Sequence, residues 1–157
     1  MAAPTPTARQ DPAGVKIDDG YRTLICPESD PNIVFWEKTV TPPGIDGGDA
    51  NETTTMHNDT WRTMAPRSLK TLTDSTLTAA YDPYLYTDIL GLINTPTVWT
   101  VTFPDGDTLA FWGYLRSFEP DALAEGSQPE CTLTITPTNY DPTAGTEEAP
   151  VLTGGTT

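Results

Sequence analysis

The sequence predicts a mainly β fold, either a β-sandwich or a small barrel, with one flanking α-helix. Apolar and polar residues alternate with a period of two along several segments, a pattern typical of strands that bury one face. The chain also contains 29 threonines, and β-branched residues favour sheet over helix. One segment, at about residues 83–93, has instead the apolar spacing of an amphipathic helix.

The clearest strand is CTLTITPT at residues 131–138. Its apolar side chains fall on one face and its threonines, Thr132, Thr134 and Thr136, on the other, so the strand is predicted to be half buried. The run TVWTVTFP (97–104) alternates in the same way and is followed, across a Pro-Asp-Gly turn, by TLAFWGYLRSF (108–118). These two runs predict a β-hairpin.

Three further segments have strand-like patterns. A second hairpin is predicted in VKI-DDG-YRTLIC (15–26), a strand in NIVFWEKTV (32–40), and a strand or strand pair in SLKTLTDSTLTAA (68–80).

The cysteines and three of the tryptophans lie in these strand-like segments. We expect Cys26 and Cys131 to be buried thiols rather than a disulfide, because the chain lacks a recognisable export signal. Trp36, Trp99 and Trp112 are expected in the core.

The predicted helix lies in YDPYLYTDILGLIN (81–94). Asp82 can cap its start and Pro83 suits the first helical position. Asn94 can adopt the left-handed conformation that ends a helix. The apolar stripe consists of Leu85, Ile89, Leu92 and Ile93.

Length and composition indicate one domain. A chain of 157 residues can bury one substantial core, which we place in residues 13–139. Residues 1–12 and 140–157 are small and polar and are expected to be flexible termini. No apolar run approaches the roughly 18 residues of a membrane span, and the start lacks the apolar region of a secretory signal. The sequence therefore predicts synthesis in the cytoplasm and no membrane insertion.

The charge balance argues against a nucleic-acid-binding protein. The chain has 22 acidic and 8 basic residues, a formal net charge of −14. Proteins that hold nucleic acid neutralise phosphates with lysine and arginine, and this chain has few of either. Acidity that serves only solubility is the simplest alternative.

No catalytic or metal-binding motif occurs in the sequence. His57 is the single histidine, whereas a zinc site needs several ligands. Nucleophile-elbow, P-loop and dinucleotide-binding patterns are absent, and Asp46, Asp49 and Glu52 lack the spacing of a calcium loop. The sequence thus predicts no enzyme and no cofactor.

A long polar segment, PPGIDGGDANETTTMHNDT (42–60), interrupts the strand pattern. Its composition predicts that it cannot order by itself, and a loop of this length is usually functional or disordered. Trp61 follows it, with Met56 and Met64 close by. These three side chains either anchor an interface or pack back on the parent sheet.

Four stretches, in this order, resemble the tail tube (major tail) proteins of long-tailed, siphovirus-type bacteriophages. They are VTPPGIDGGDANETTTMHNDTWRTMAPRSLKTL, LTAAYDPYLYTDILGLIN, TVTFPDGDTLAFWGYL and ECTLTITPTN. The resemblance covers roughly residues 15–139, and its most telling features are the PGIDGGD loop with TTTM.ND, the YDP helix segment and the final threonine strand.

This resemblance implies a structural protein that assembles as hexameric rings stacked into a hollow tube through which the viral genome passes. It implies a virion tail assembled in the host cytoplasm, with itself, a tail initiator or tip, a tape measure and a terminator as partners. Double-stranded DNA passes through without specific binding. The loop at 41–67 is implied to order against neighbouring subunits, and its candidate contact residues are Pro43, Gly44, Ile45, Asp46, Gly47, Gly48, Asp49, Thr54, Thr55, Met56, Trp61 and Met64.

The charge pattern adds an expectation about the channel wall. A conduit for DNA needs a wall without cationic sites, and the polar face of a half-buried strand meets that need. Thr132, Thr134 and Thr136 are therefore the candidate lumen-lining residues, although an ordinary solvent-facing role explains them equally well.

A second class of protein fits many of the same features. A virion-surface or extracellular β-sandwich binding module would share the strands and threonines, and residues 42–60 would be its recognition loop. A disulfide between Cys26 and Cys131 would favour this alternative, and an enzyme is the weakest hypothesis.

Overall fold

The computed structural model describes residues 19–30 and 32–154. A 3-10 helix, Pro83–Leu85, leads directly into the α-helix α1, Tyr86–Leu92. The strands are β1 (Leu24–Pro27), β2 (Glu37–Thr41), β3 (Ile45–Asp46), β4 (Asn51–Glu52), β5 (Met64–Ala65), β6 (Thr71–Leu72), β7 (Ser75–Ala80), β8 (Thr97–Thr102), β9 (Thr108–Pro120), β10 (Glu130–Pro137), β11 (Tyr140–Asp141), β12 (Thr146–Glu147) and β13 (Val151–Thr153).

One antiparallel sheet carries the core. Its strand order is β1-β8-β9-β10-β7-β2, and β13 pairs with the beginning of β9. The sheet curls into a half-barrel, so that its two edge strands approach each other. Across the gap the backbone N–H of Ile25 donates to Oε1 of Glu37 at 3.1 Å. A mainly β half-barrel with one helix confirms the predicted fold class.

The period-two pattern decides which side chains form the core. In β10, Cys131, Leu133 and Ile135 are buried and the threonines between them are half-buried, as predicted. β8 buries Trp99 and Val101 in the same way. The other large buried side chains come from β1, the segment before β2, β6, β7, β9 and α1; they are Ile25, Ile33, Phe35, Leu72, Leu77, Ile89, Leu92, Phe111 and Leu115.

The predicted hairpin of β8 and β9 is confirmed. The N–H of Phe103 donates to the carbonyl of Asp107 at 2.8 Å and the N–H of Gly106 to the carbonyl of Phe103 at 3.0 Å. Gly106 has φ of 93°, a left-handed conformation that favours glycine. Further along β9, Arg116 lies opposite no residue of β10, because the register shifts between Thr134 and Ile135. This β-bulge bends the longest strand of the sheet.

The helix also begins and ends where the sequence predicts. Oδ1 of Asp82 accepts from the N–H of Tyr84 at 3.0 Å, and Asn94 has φ of 58°. Ile89 and Leu92 pack into the core. Within the described residues no helix is long and apolar enough to cross a membrane.

One strand prediction needs correction, and another falls partly outside the described residues. The segment 32–40 pairs as a strand only from Glu37 onward. Two tryptophans expected in the core are not there: Trp36 is 62% exposed, and Trp112 is half-buried on the face opposite Phe111. Ile33 and Phe35 occupy the buried positions of segment 32–40, and side chains one residue apart point to opposite faces. The predicted hairpin at 15–26 falls partly outside the described residues, and its second half, β1, pairs with β8.

The C-terminal segment has more structure than its composition predicts. From residue 140 onward, β11 pairs with β12 and β13 pairs with β9. Backbone hydrogen bonds make these pairs, and backbone pairing does not require apolar side chains. Val151 and Leu152 remain exposed, so β13 is held mainly by its ladder. Residues 140–154 therefore contain paired strands that composition did not predict, and the expected flexibility of this terminus stays a prediction.

Candidate assembly surfaces

A two-stranded arm, residues 44–73, extends from the sheet. At its root β3 pairs with β6, and further out β4 pairs with β5. The root is closed by Gly44 and Thr73. The Gly44 N–H donates to Oγ1 of Thr73 at 2.7 Å and the Thr73 N–H donates to the Gly44 carbonyl at 2.9 Å. Neither short pair joins the main sheet.

Polar side chains hold the tip of the arm. The Thr53 N–H donates to the carbonyl of Thr63 at 2.9 Å, and the Thr63 N–H donates to Oγ1 of Thr54 at 3.0 Å. Oδ1 of Asn58 accepts from the Thr55 N–H at 2.9 Å, while Nδ2 of Asn58 donates to the Trp61 carbonyl at 2.8 Å. Asn58 therefore ties both sides of the final turn together.

These contacts correct the expectation that the segment has no structure of its own. Composition predicted disorder because the segment has few apolar residues, but the arm is held by hydrogen bonds rather than by a core. Thr53, Asn58, Thr63 and Arg67 hold it, and none of them stood among the candidate residues. The TTTMHND pattern was the available signal, since Thr and Asn side chains bond nearby backbone in turns.

The candidate residues nearest the root have local roles. Oδ1 of Asp46 accepts from the Gly48 N–H at 2.8 Å, and the Asp49 carbonyl accepts from Nε of Arg67 at 2.8 Å. Gly48 has φ of 79°, and a Cβ there would lie 3.1 Å from Cδ of Arg67. Glycine is therefore required where Arg67 crosses the arm. Pro43, just before the arm, is half-buried, and Gly47 is exposed.

The large apolar side chains of the arm point into solvent. Met56 is fully exposed, Trp61 is 81% exposed and Met64 is 57% exposed. The alternative that these three pack back on the parent sheet is wrong. Ile45 and Leu69, closer to the root, are also exposed. Grouped apolar exposure of this kind marks an interaction surface.

A second surface is the outer face of the sheet, on the side opposite the core. Thr132 lies between Thr78 and Glu119, and Thr134 lies between Thr76 and Ser117. Two threonines of β2, Thr39 and Thr41, extend the same rows across a fourth strand, opposite Thr78 and Thr76. Thr136 lies opposite Tyr114, so an aromatic side chain takes the place of a short hydroxyl side chain at this end of the rows. We call this patch of rows the hydroxyl face.

The cations beside the hydroxyl face are paired with carboxylates. Nζ of Lys38 lies 2.7 Å from Oε1 of Glu130, and Nη1 of Arg116 lies 3.0 Å from Oδ2 of Asp74. Three of the six described lysines and arginines lie elsewhere, in the arm; they are Arg62, Arg67 and Lys70. The hydroxyl face therefore presents oxygen atoms and little uncompensated positive charge.

The two cysteines differ in exposure. Cys131 is buried, as predicted, whereas Cys26 is exposed, and both thiols are free. Cys26 lies on the outer face of the edge strand β1, opposite Thr100. Burial raises the pKa of the Cys131 thiol, and partial desolvation together with the Glu37 carboxylate raises that of Cys26. The disulfide that would favour a secreted binding module is not formed.

A metal-binding site needs a cluster of ligand side chains. In residues 19–30 and 32–154 no three His, Cys, Asp or Glu side chains are grouped to hold a metal ion. His57 lies at the arm tip, where its backbone N–H donates to Oγ1 of Thr55 at 3.2 Å.

Comparison with known proteins identifies a fold relative. No family model and no curated protein matches the chain. A chain in the cryo-EM structure of the anti-feeding prophage (AFP) baseplate, 6-fold symmetrised, is similar with a TM-score of 0.56 at 10% sequence identity. The match covers 84% of this chain and 91% of that chain. At this identity the similarity concerns the fold, and it extends over most of both molecules.

Proposed function

We propose that this chain is a structural subunit of a phage tail or a phage-tail-like particle, and specifically a tail tube subunit. Copies assemble as hexameric rings, and the rings stack into a hollow tube that conducts the viral genome. A tail initiator or tip, a tape measure and a terminator bound the assembly, which forms in the host cytoplasm. Its place is the virion tail.

The observation that carries this proposal is the arm. Residues 44–73 project from the sheet and expose Met56, Trp61 and Met64, although the chain has a well-formed core elsewhere. Exposing such side chains is unfavourable for an isolated subunit. The arm therefore serves a contact with another molecule. The fold relative supports a tail assembly, because that chain belongs to a 6-fold symmetrised baseplate.

The hydroxyl face is the proposed channel wall. Thr132 and Thr134 stand in rows of hydroxyl groups, with Thr136 at their end. DNA is held by cations that replace its counterions, and the nearby Lys38 and Arg116 are already paired with carboxylates. A wall of this composition lets double-stranded DNA slide past without a specific site.

Electron microscopy of the purified chain tests the proposal. We expect rings or tubes with a central channel in negative-stain images, and sixfold symmetry in averaged end views. Particles that remain monomeric at high concentration, alone and in the presence of preformed tail tips, would contradict it. The binding-module alternative predicts those monomers, since such a module works as a single domain.

A further inference from the structure

A groove runs along the root of the arm. Its volume is about 480 Å³, and it lies between the arm root and residues 147–150, at the end of β12 and just after it. Its walls are largely apolar side chains, namely Ile45, Leu69, Leu72, Ala149 and Pro150. Ile45 is 73% exposed and Leu69 is 82% exposed. Two large apolar side chains thus face a groove that their own chain leaves open.

The rim of this groove is acidic. Glu147 and Glu148 both line it and both are exposed. Within the described residues neither carboxylate is within ion-pair distance of a lysine or arginine, Lys70 of the same groove included. A side chain that enters the groove therefore meets apolar walls, the Lys70 ammonium group and two carboxylates without an ion-pair partner among the described residues.

The tip of the arm carries an apolar and a cationic side chain, which complement the apolar walls and the carboxylates of the groove. Trp61 is exposed, and the next residue, Arg62, points its guanidinium into solvent. Among the described residues, the one carboxylate within ion-pair distance of Arg62 is that of Glu52, at 3.8 Å, and the two side chains are 78% and 49% exposed. An exposed pair of this kind contributes little, so Arg62 can exchange Glu52 for a better partner. Trp and Arg are also the residues most enriched in interface hot spots.

The groove and the tip cannot meet within one molecule in the observed conformation. The root pair β3–β6 and the outer pair β4–β5 hold the strands of the arm side by side. Trp61 lies beyond the outer pair, and no residue of the tip lines the groove. If an arm tip fills the groove, it must therefore be the tip of another copy of the chain.

From these observations, and resting on the proposed function, we infer that the groove receives the arm tip of a second copy. Trp61 enters between Leu69 and Pro150, and Arg62 pairs with Glu147 and Glu148. Tip and groove are different surfaces, so the contact is heterologous, and each bound pair still offers one free tip on one copy and one free groove on the other. Such contacts propagate, either closing into rings or extending as filaments.

Mixing two half-defective variants tests this directly. Trp61→Ala removes the tip anchor and leaves the groove intact, whereas a Glu147→Lys/Glu148→Lys variant spoils the groove and leaves the tip intact. The side chains concerned are exposed, so circular dichroism should show that both variants fold. By sedimentation velocity we expect wild-type chains to associate and each variant alone to associate about 30-fold more weakly, the effect of losing one hot-spot residue. An equimolar mixture should give a 1:1 dimer that grows no further.

Exchanging the charges of Arg62 and of Glu147 and Glu148 provides an independent test. Arg62→Glu should weaken association as much as Trp61→Ala does, and combining Arg62→Glu with Glu147→Lys/Glu148→Lys in one chain should restore it. The inference is overturned if the mixture stays monomeric, if either variant alone assembles like the wild type, or if the wild type does not associate at the highest attainable concentration. If electron microscopy shows tubes but the mixture gives no dimer, the proposed function holds and the docking contact is wrong. If the mixture gives a dimer but no rings or tubes form, the docking contact holds and the proposed function is wrong.

Discussion

Gly113 shows how closely single residues are constrained in this sheet. It lies where β8, β9 and β10 meet, opposite both Thr97 and Pro137. A Cβ at this position would lie 2.8 Å from the carbonyl oxygen of Thr136 and 3.3 Å from Cα of Pro137. Both are backbone atoms, which cannot move aside by changing a rotamer.

We expect Gly113→Ala to destabilise the fold by about 1–3 kcal/mol, the usual cost of overpacking. Gly91→Ala is the matched control. Gly91 lies in α1 with open space around it, and alanine should stabilise that helix by up to about 1 kcal/mol. Urea unfolding of both variants measures the difference. Equal stability of the two would show that β9 and β10 can separate to admit a methyl group.

The threonines of the hydroxyl face carry a prediction about genome passage. Lysines at Thr132, Thr134 and Thr136 would face the channel if the proposed wall is correct, and each would attract DNA phosphates. We expect tubes to assemble normally while genome ejection slows, and the delay should shrink as salt rises. Ejection kinetics in low and high salt measure it.

Glutamine at the same three positions is the control, since it adds length without charge. Slowing that is equal for lysine and glutamine would mean that bulk rather than charge matters. Unchanged ejection at low salt, in tubes whose images show the lysines in the channel, would remove the proposed role of wall charge.

Among the elements, the arm differs most from its surroundings. The sheet is stabilised by buried side chains, whereas the outer arm depends on hydrogen bonds among Thr53, Asn58 and Thr63. Exposed hydrogen bonds contribute only modestly to stability. The hydrogen bonds of the outer arm should therefore open more readily than those of the rest of the molecule, which we call the body. Docking of the arm on another molecule should order it further.

Replacing residues 49–67 with a short Gly-Ser connector keeps the root pair of Ile45–Asp46 with Thr71–Leu72 and removes everything beyond it. We expect thermal unfolding within a few degrees of the wild type, because none of the buried core residues lies in the deleted part. Ring and tube formation should be lost.

Asn58→Ala is the companion variant. It keeps every other residue of the arm but removes the side chain that ties the tip together. We therefore expect assembly to be weakened rather than abolished. Normal tubes from the connector variant would show that the arm is dispensable for assembly.

At the scale of the whole molecule, charge is unevenly distributed. The arm carries four acidic and three basic residues, a net of −1, while the other described residues carry 16 acidic against three basic, a net of −13. Copies of the body therefore repel one another. The repulsion acts over a Debye length of about 30 Å at 0.01 M salt and about 8 Å at 0.15 M.

We expect assembly to be faster at 0.15 M salt than at 0.01 M. Salt screens the repulsion between the acidic surfaces outside the arm more than it weakens the short-range contacts of the arm. Light scattering follows the rate, and the connector variant, which lacks the outer arm, should scatter little at either concentration. Slower assembly on adding salt would mean that attractive ion pairs between copies dominate the encounter.

The sequence by itself determined the local elements. Alternation placed Leu133 and Ile135 in the core and Thr132 on the outer face, and Asp82 and Asn94 marked the ends of the helix. These features depend on neighbours along the chain, so they can be predicted from spacing alone. The same alternation puts Trp36 on the face opposite Phe35, so the expectation that Trp36 is buried was wrong although the rule holds there.

Only the tertiary structure decided what distant residues do together. It brought β13 back to β9, joined Thr53 to Thr63 in an arm that composition predicted to be disordered, and separated the exposed Cys26 from the buried Cys131. It also placed Glu147 and Glu148 beside Ile45 and Leu69. Backbone pairing between separated segments has no periodic signature, since any residue but proline can supply its N–H and C=O groups, and a groove exists only after such pairings have formed.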